Sequence, residues 1–296
     1  MKAKSIMTVI AALFITLSSY ANEITGFQHP ESVVAYKDHL FVSNTGDKLE
    51  PLAKDGDGYI SMLSRTDGKI VELKFITDLN SPKGMYIKKD ILYVADVDRI
   101  QGFDLKTKKK VFEADLSKFG VAYANDVTKA CHGLYVSSTL NNAVYKVKFK
   151  GKDNVKQFKT KGAPLTGVNG LYKKGIKLFV ANYGRENEPN GSFGKVGVVR
   201  KKYKEYQKIG VFDGIIKKCG KLYVTDWVNI PENKGRLISY KKHCKKGLHD
   251  VEIGKTIDGP SDIFADNKTK KLWIPAMREN KIISVDFKDL KKKKAK

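Results

Sequence analysis

The sequence predicts an all-β protein, a six-bladed β-propeller with four-stranded blades whose ring is closed by the N-terminal strand. The first observation is a Leu-aromatic-Val triplet, or its Leu-Trp-Ile variant, which begins at Leu40, Leu92, Leu134, Leu178, Leu222 and Leu272. The second is a polar or glycine pair upstream of each triplet: Glu31-Ser32, Lys83-Gly84, Asn125-Asp126, Asn169-Gly170, Asp213-Gly214 and Ser261-Asp262. Successive pairs are 42 to 52 residues apart, and helical periodicity is almost absent.

Each repeat divides into four short stretches with strand character. In the second repeat these stretches are Gly84 to Lys88, Ile91 to Asp96, Arg99 to Asp104 and Lys110 to Glu113. Turns rich in Gly, Asp and Lys separate them. A unit of four short strands that recurs every 40 to 50 residues or so is typical of a propeller blade. Six such units account for the chain after its first 21 residues.

The last repeat lacks a fourth strand, because the chain becomes lysine-rich after the stretch from Lys281 to Phe287. A spare strand precedes the first repeat, from Glu23 to Phe27. Pairing this spare strand with the sixth blade would cover two sheet edges that would otherwise be exposed. We therefore expect the N-terminal strand to be the outer strand of the sixth blade.

The N-terminus is predicted to be a signal peptide. Lys2 and Lys4 precede an apolar stretch, and small residues follow it at Ser19-Tyr20-Ala21. The apolar stretch is shorter than a membrane span, although an uncleaved anchor remains the alternative. We expect a periplasmic or secreted protein without stable membrane insertion. The predicted segments are a signal peptide at 1–21, the propeller at 22–290 and a basic tail at 291–296.

The net charge is +24, and loss of residues 1–21 removes Lys2 and Lys4 and no acid, which leaves +22. Such an excess is typical of proteins that bind nucleic acid or anionic lipid. In this sequence, however, lysines occur in every turn and strand edge, and only residues 291–296 form a dense run. We expect a solvated basic surface, no nucleic-acid partner and a monomer.

Three cysteines leave at least one thiol unpaired within the chain. Cys219 and Cys244 belong to the same repeat, whereas Cys131 belongs to the third repeat. If an intrachain bridge forms, we expect it between Cys219 and Cys244.

The first residues of the innermost strands should converge at one mouth of the central channel. Glu31, Asn125, Asn169 and Asp213 would bring two carboxylates and two amide oxygens together there. Such an all-oxygen set suits a divalent cation. We expect Ca²⁺, with Mg²⁺, Mn²⁺ or Zn²⁺ as alternatives. The ammonium of Lys83 could instead neutralise the carboxylates and replace the metal.

Three of the loops that join the second and third strands of a blade are long. They run from Ser43 to Tyr59, from Asn182 to Lys195 and from Thr225 to Arg236, and the last contains Trp227. These loops lie on the same rim as the polar ring, where propellers commonly carry function. Tolerated surface insertion is the alternative interpretation.

Four stretches resemble the SMP-30/gluconolactonase/LRE-like group of six-bladed propellers. They are His29-Pro30-Glu31-Ser32, Tyr123-Ala124-Asn125-Asp126, Val168-Asn169-Gly170-Leu171 and Phe212-Asp213-Gly214. The resemblance implies that Glu31, Asn169 and Asp213 bind one divalent cation. It also implies that Asn125 lies beside a substrate and that Asp213 activates a water molecule to open a lactone.

Two positions depart from the pattern of that group. Tyr123 stands where the sugar-lactone hydrolases carry an arginine, and Lys83 adds a cation beside the metal position. With Asn125 and Trp227, these two residues are the expected substrate contacts. The sequence therefore leaves two hypotheses for a small-molecule substrate or ligand. One is a metal-dependent hydrolase of a small ester or lactone, and the other is a non-catalytic propeller that binds a ligand or a protein.

Overall fold

Six antiparallel sheets, one for each repeat, are arranged in a ring and form a six-bladed β-propeller. The computed structural model describes residues 21–120, 123–151, 154–185, 190–228, 234–241, 247–255 and 257–292. In every blade the first strand is innermost and the later strands follow outward in chain order. The predicted fold class is therefore confirmed.

The first three blades contain four strands each. Blade 1 contains β2 (Pro30–Tyr36), β3 (His39–Asn44), β4 (Gly58–Ser64) and β5 (Ile70–Leu79). Blade 2 contains β6 (Pro82–Lys88), β7 (Ile91–Asp96), β8 (Arg99–Asp104) and β9 (Lys110–Asp115). Blade 3 contains β10 (Ala124–Ala130), β11 (Gly133–Ser138), β12 (Ala143–Lys148) and β13 (Val155–Gln157).

The last three blades complete the ring. Blade 4 contains β15 (Val168–Lys174), β16 (Lys177–Asn182), β17 (Ser192–Gly197) and β18 (Lys202–Lys208). Blade 5 contains β19 (Phe212–Lys218), β20 (Lys221–Asp226), β21 (Arg236–Tyr240) and β22 (Leu248–Glu252). Blade 6 contains β23 (Phe264–Asp266), β24 (Lys271–Ala276) and β25 (Lys281–Asp286). Single turns of 3₁₀ helix occur at Ser117–Phe119, Met277–Glu279 and Phe287–Asp289.

The N-terminal strand β1 (Asn22–Thr25) pairs antiparallel with β25 and is the outer strand of blade 6. Glu23 lies opposite Ile283 in this register, and the Glu23 carboxylate accepts a hydrogen bond of 2.9 Å from Lys281. The predicted closure of the ring is therefore confirmed. Closure joins the two ends of the chain, so the sheet edge that blade 6 would otherwise expose is covered.

The packing explains why the triplet recurs. A hydrophobic cluster lies at each of the six interfaces between neighbouring blades. In blade 1, Leu40 and Val42 pack towards blade 6, while Phe41 points the other way and packs towards blade 2. Side chains alternate along a strand, so each triplet serves two interfaces at once. All six triplets follow this rule, including Leu272 and Ile274 towards blade 5 and Trp273 towards blade 1.

Two short strands add to the predicted four-stranded pattern. Strand β14 (Lys161–Gly162) pairs parallel with β18 outside blade 4. Strand β26 (Lys291–Lys292) pairs with β22 outside blade 5, so the segment predicted as a basic tail begins inside the fold.

Several sequence predictions fall on the N-terminus and the cysteines. Residues 1–20 of the predicted signal peptide lie outside the described residues, whereas Ala21 is buried between blades 5 and 6. No helix in the described part of the chain is long and apolar enough to cross a membrane. Cys131 and Cys219 are exposed; Cys244, and with it the expected bridge, lies outside the described residues.

Candidate functional site

The six polar pairs lie at the start of the innermost strands, and a β-bulge displaces five of them. The pairing register shifts between Pro30 and Val33 in blade 1, and the same shift occurs at the corresponding pair in blades 2 to 5. A bulge adds an unpaired residue and redirects the side chains around it. Regular strand pairing therefore resumes after each pair. The pair residues themselves are not paired with the second strand and lie at the channel mouth.

Two of the glycines in these pairs are required by close packing around the axis. A Cβ atom on Gly170 would lie 2.2 Å from the Asp213 carbonyl oxygen, and one on Gly84 would lie 2.5 Å from the Asp126 Cα atom. No side chain fits at such distances without movement of the neighbouring strand. The glycines thus let the inner strands of adjacent blades approach, which concentrates the polar residues in a narrow ring.

The four expected oxygen ligands are all buried at the mouth. Glu31, Asn125, Asn169 and Asp213 are each no more than 5% exposed. Asn169 is hydrogen-bonded to the Asp213 carboxylate, and Asp213 is the charged group with the strongest influence on Glu31. Residues from blades 1, 4 and 5 thus lie at the start of inner strands around the channel mouth, and their role as cation ligands stays a prediction.

Three buried oxygens in this ring have no hydrogen-bond partner. They are Glu31 Oε2, Asn125 Oδ1 and Asp213 Oδ1. Leaving a buried polar atom unpaired costs about 1–3 kcal/mol, and more for a charged group. All three atoms are acceptors, so a single cation could satisfy several of them. This is the donor set that Ca²⁺ prefers, and the residues present therefore fit a divalent cation.

Two further carboxylates line the channel and are fully bonded. Asp126 accepts hydrogen bonds of 2.5 Å from the backbone N–H groups of Val127 and Leu171. Asp262 accepts bonds of 2.7 Å from the Ser32 hydroxyl and from the Ile263 N–H. Because these oxygens already accept hydrogen bonds, we assign Asp126 and Asp262 a structural role rather than a ligand-binding one. Glu31 and Asp213 differ from them in keeping an open oxygen.

Burial and mutual repulsion make the ionised state of these carboxyls unfavourable. Burial, and then the carboxyls of Asp213, Asp262 and Asp126, raise the pKa of Glu31 well above its ordinary value. Burial and Asp262 raise the pKa of Asp213 to about 8, against the opposing hydrogen bonds from Trp227 and Asn169. A divalent cation would favour the ionised carboxylates and remove this conflict.

Lys83 is buried beside the ring but does not reach into it. Its ammonium donates to the Pro51 carbonyl at 2.7 Å, the Ser81 carbonyl at 2.8 Å and the Ser81 hydroxyl at 3.2 Å. It also lies 5.0 Å from the centre of the Tyr123 ring. An ammonium has three hydrogens, and these oxygens use all of them. Lys83 therefore anchors the long loop of blade 1. Its charge lowers the pKa of Glu31, but less than burial and the neighbouring carboxyls raise it.

A hydrophobic cap covers the ring. Trp227 donates from Nε1 to Asp213 Oδ2 at 3.1 Å, which fixes the orientation of that carboxylate. The Trp227 ring packs with Val211 and Met277, and partly buried Leu49 and Tyr183 join them. We call these five residues the rim cluster. Leu49 comes from the long loop of blade 1, so side chains from four blades close the mouth above the polar atoms.

A surface pocket lies away from the ring. It is a depression of about 590 Å³ between blades 3 and 4, lined by Gln157, Lys159, Leu165, Arg185 and their neighbours. It contains none of the ring residues, so we assign the site from the buried oxygens. Among the described residues, no group of three or more His, Cys, Asp or Glu side chains is arranged to hold a metal. The candidate site combines two carboxylates with amides instead.

The sequence placed Trp227 and the long loops of blades 1, 4 and 5 on this rim, but it did not single out Leu49 or Met277. Leu49 and Met277 are apolar residues in loops of blades 1 and 6, and nothing in their spacing distinguishes them. Arg278 follows Met277, and its guanidinium lies 5.3 Å from the centre of the Trp227 ring. The position of Met277 and Arg278 directly after a predicted second strand was the signal that could have placed them on this rim.

Comparison with known proteins gives the fold and no family. No family model matches the chain, and no curated protein sequence matches it. One similar solved structure is a nidogen/laminin complex, 13% identical over 82% of this chain and 90% of that chain, with a TM-score of 0.62. Another is the Cps50 (Swd1) β-propeller domain of Myceliophteria thermophila, 9% identical over 90% and 98%, with a TM-score of 0.61.

A third similar structure is virginiamycin B lyase from Staphylococcus aureus with quinupristin. It is 17% identical over 89% of this chain and 98% of that chain, with a TM-score of 0.55. At such low identities these likenesses describe the propeller architecture alone.

Proposed function

We propose that this protein is a hydrolase of small esters or lactones that depends on a divalent cation held by Glu31, Asn169 and Asp213. The observation that carries the proposal is the set of buried acceptor oxygens without partners at the channel mouth. Two of them belong to the carboxyls of Glu31 and Asp213. The Lys83 charge only partly offsets the raised pKa of Glu31, and its hydrogen bonds go to Pro51 and Ser81 instead. The resemblance of the four motif stretches to the SMP-30/gluconolactonase group supports the same assignment.

Each residue of the ring has a separate part in this proposal. Asp213 is proposed both to bind the cation and to be the base: Trp227 donates to its Oδ2 atom and orients the carboxylate, which takes a proton from the attacking water. Asn169 is hydrogen-bonded to the same carboxylate and helps to fix it. Asn125, with its open Oδ1 atom and its amide group, binds polar groups of the substrate. When bound, the cation supplies polarisation of the carbonyl and lowers the pKa of water.

The rim cluster restricts which molecules can react. Its apolar side chains cover the ring, so a substrate must displace Leu49 or enter between it and Trp227. This requirement favours small substrates and excludes bulk water from the carboxylates while the cap is closed. Tyr123 lies beside the Lys83 ammonium, and we propose that its ring contacts the substrate; the expected contact from Lys83 is not proposed, because its three hydrogens are bonded to Pro51 and Ser81. We place the activity outside the cytoplasm because of the predicted signal peptide.

The second candidate is a propeller that binds a ligand without chemistry. The observation in its favour is that the cap closes the ring while Lys83 is committed to holding the loop of blade 1. A buried cation would then have a structural part. The second candidate does not require a cation, and the two differ in whether Asp213 does chemistry.

A hydrolysis assay on a panel of aliphatic lactones and aryl esters tests the proposal. The protein is first treated with a chelator and then assayed with Ca²⁺, Mg²⁺, Mn²⁺ or Zn²⁺. We expect hydrolysis that requires one of these ions and that falls by at least about a hundredfold in Asp213→Asn, the size of effect typical for loss of a general base. Asp90→Asn, which removes one exposed carboxyl on the opposite face, is the matched control and should keep full activity.

The variants also separate the two candidates. Cation binding that survives in the wild type without hydrolysis of any panel member would favour the binding propeller. Hydrolysis that persists unchanged in Asp213→Asn would show that another group is the base and would contradict the proposed mechanism.

A further inference from the structure

The face opposite the candidate site carries an uneven distribution of charge. In each blade, the turn between the first and second strands and the turn between the third and fourth strands lie on this face. We call it the turn face. All of its acidic residues in the described chain belong to blades 6, 1 and 2: Asp38, Asp67, Asp90, Asp104, Asp266, Asp286 and Asp289. The corresponding turns of blades 4 and 5 contain no acidic residue.

In blades 6, 1 and 2 the acids neutralise nearby cations. Lys268 lies 2.6 Å from Asp38. Arg65 lies 2.6 Å from the buried carboxylate of Asp266. Lys106 lies 3.3 Å from Asp90. Several cations of this half are therefore paired with acidic residues of the protein.

The turns of blades 4 and 5 on this face are rich in basic residues. We call the turns 173–177 and 197–202 of blade 4 and 217–221 of blade 5 the basic sector. Its nine basic residues are Lys173, Lys174, Lys177, Arg200, Lys201, Lys202, Lys217, Lys218 and Lys221. These residues lie close enough for their charges to interact. The pKa of Lys217 is lowered first by burial and then by the positive charges of Lys174 and Lys177. A surface on which like charges cluster without counter-ions attracts an anionic partner.

Two aliphatic side chains project from the middle of this sector. Ile176 is 69% exposed and Val199 is 79% exposed, which places both among the most exposed large hydrophobic residues of the described chain. They are neighbours, because the Val198 N–H donates to the Ile176 carbonyl at 2.9 Å. Lys174 and Lys177 flank the first, and Arg200 follows the second. Exposed aliphatic tips surrounded by cations are the combination that binds the interface of an anionic bilayer.

We propose that the basic sector docks the protein on the surface of a membrane rich in anionic phospholipid. Ile176 and Val199 enter the headgroup region, while the surrounding lysines and arginine contact lipid phosphates. A soluble polyanion would satisfy the charges but would leave the two aliphatic tips in water, so the tips favour a lipid surface. Docking in this orientation turns the candidate catalytic mouth away from the membrane and leaves it open to solutes.

Co-sedimentation with vesicles tests the proposal, using the full-length protein at about 0.1 M salt, where contacts at the surface are only partly screened. Vesicles contain phosphatidylethanolamine with about 30% phosphatidylglycerol, and phosphatidylcholine vesicles are the neutral comparison. We expect binding to the anionic vesicles alone. Each basic residue near an anionic leaflet strengthens binding roughly fivefold. Because Lys174→Glu/Lys177→Glu/Arg200→Glu removes three such charges and adds three negative ones, it should bind at least about a hundredfold more weakly.

Two further variants complete the experiment. Lys69→Glu/Lys106→Glu/Lys109→Glu makes the same change of charge in turns of blades 1 and 2 and should retain most of the binding. Ile176→Ser/Val199→Ser should bind severalfold more weakly and with a steeper dependence on salt. An equal loss of vesicle binding in the two triple variants would show that only the net charge matters. It would overturn the proposal that the basic sector is the docking surface. Binding to heparin or DNA without binding to anionic vesicles would overturn the proposal that the partner is a lipid surface. An unchanged melting temperature confirms that each variant is folded.

Discussion

The two mouths of the channel are chemical opposites, although the same inner strands build both. Strand β19 begins with Asp213 in the ring and ends with Lys217 and Lys218 on the turn face. Strand β15 likewise begins near Asn169 and ends with Lys173 and Lys174. One end of each strand gathers carboxylates and amides, and the other gathers ammonium groups. In blades 4 and 5 this contrast therefore lies within single strands of seven residues, whereas the turn face of blades 6, 1 and 2 also carries acidic residues.

Burial determines what each mouth requires. The lysines of the turn face are largely exposed, so water screens them and they stay charged without partners. At the other mouth Glu31 and Asp213 are removed from water, where two like charges cannot both persist without compensation. An exposed cluster of one charge can remain without a partner, whereas a buried cluster needs a proton or a cation. The following predictions test this difference, from the largest expected effect to the smallest.

The largest effect should come from a buried ion pair on the turn face, between Arg65 and Asp266. Arg65 donates to both oxygens of Asp266 at 2.7 and 2.6 Å and joins blade 1 to blade 6. Arg65→Met would leave the Asp266 carboxylate buried with only Lys268 and Thr269 as donors. We expect a loss of about 3 kcal/mol in the free energy of unfolding, measured by urea denaturation.

Lys69→Met, in the same turn, is the matched control because the Lys69–Asp67 pair is exposed. This variant should unfold at the same urea concentration as the wild type. Equal losses in the two variants would mean that burial does not distinguish the pairs.

Neutralising a ring carboxyl should stabilise the protein when no cation is present. Asp213→Asn keeps the shape of the side chain and a group that can accept the Trp227 hydrogen bond, and it removes a charge whose pKa is raised to about 8. Since one pKa unit corresponds to about 1.4 kcal/mol, we expect a gain of at least about 1 kcal/mol at pH 7.5 in chelator. Urea denaturation measures it. A loss of stability would show that the Asp213 carboxylate already has a counter-ion.

The stability of the cation-free protein should rise as the pH falls from about 8 to about 5. The pKa of Asp213 is raised from 3.8 to about 8 and that of Asp262 to about 6, in both cases chiefly by burial. The folded state therefore holds protons in this window that the unfolded state releases, so the acid side favours folding. Saturating Ca²⁺ should flatten or reverse this slope, because the cation competes with the protons. Melting temperatures across a pH series measure both slopes. A melting temperature in chelator that falls as the pH is lowered from about 8 to about 5 would contradict the assignment.

The smallest effect should come from the rim cluster. Leu49 is partly buried on Trp227 and Met277, so Leu49→Ser should cost about 1 kcal/mol, less than a fully buried leucine. It should also speed the change in tryptophan fluorescence on mixing with Ca²⁺, because the cap opens more often. Leu52→Ser is the control in the same loop, where the side chain is 45% exposed. Identical stopped-flow rates in both variants would show that Leu49 does not gate the ring.

Much of the fold could be predicted because the repeat imposes it six times. The Leu-aromatic-Val triplet satisfies two blade interfaces at once, and Glu23 to Phe27 was recognised as the closing strand because blade 6 lacked one. The ring residues followed from their position at the start of each inner strand. What the sequence could not give were contacts made across the ring: the Pro51 carbonyl that holds Lys83, and Leu49 lying on Trp227.

The basic sector was missed for a related reason. Along the sequence the lysines look evenly scattered, and only the closed ring brings the turns of blades 4 and 5 side by side. The acids that neutralise the other half come from distant segments, as in the pair of Asp38 and Lys268. Charge patterning in a propeller is therefore a property of blade order, which local sequence does not show.

The most direct test of the central claim is the effect of divalent cations on the melting temperature of the wild type, Glu31→Gln, Asp213→Asn and the control Asp90→Asn. A cation that binds only the folded state adds about 2.7 kcal/mol at a hundredfold excess over its dissociation constant. The account predicts such a rise with Ca²⁺ in the wild type and in Asp90→Asn, and its loss in both ring variants. If Ca²⁺, Mg²⁺, Mn²⁺ and Zn²⁺ all leave the wild-type melting temperature at its value in chelator, the cation site does not exist.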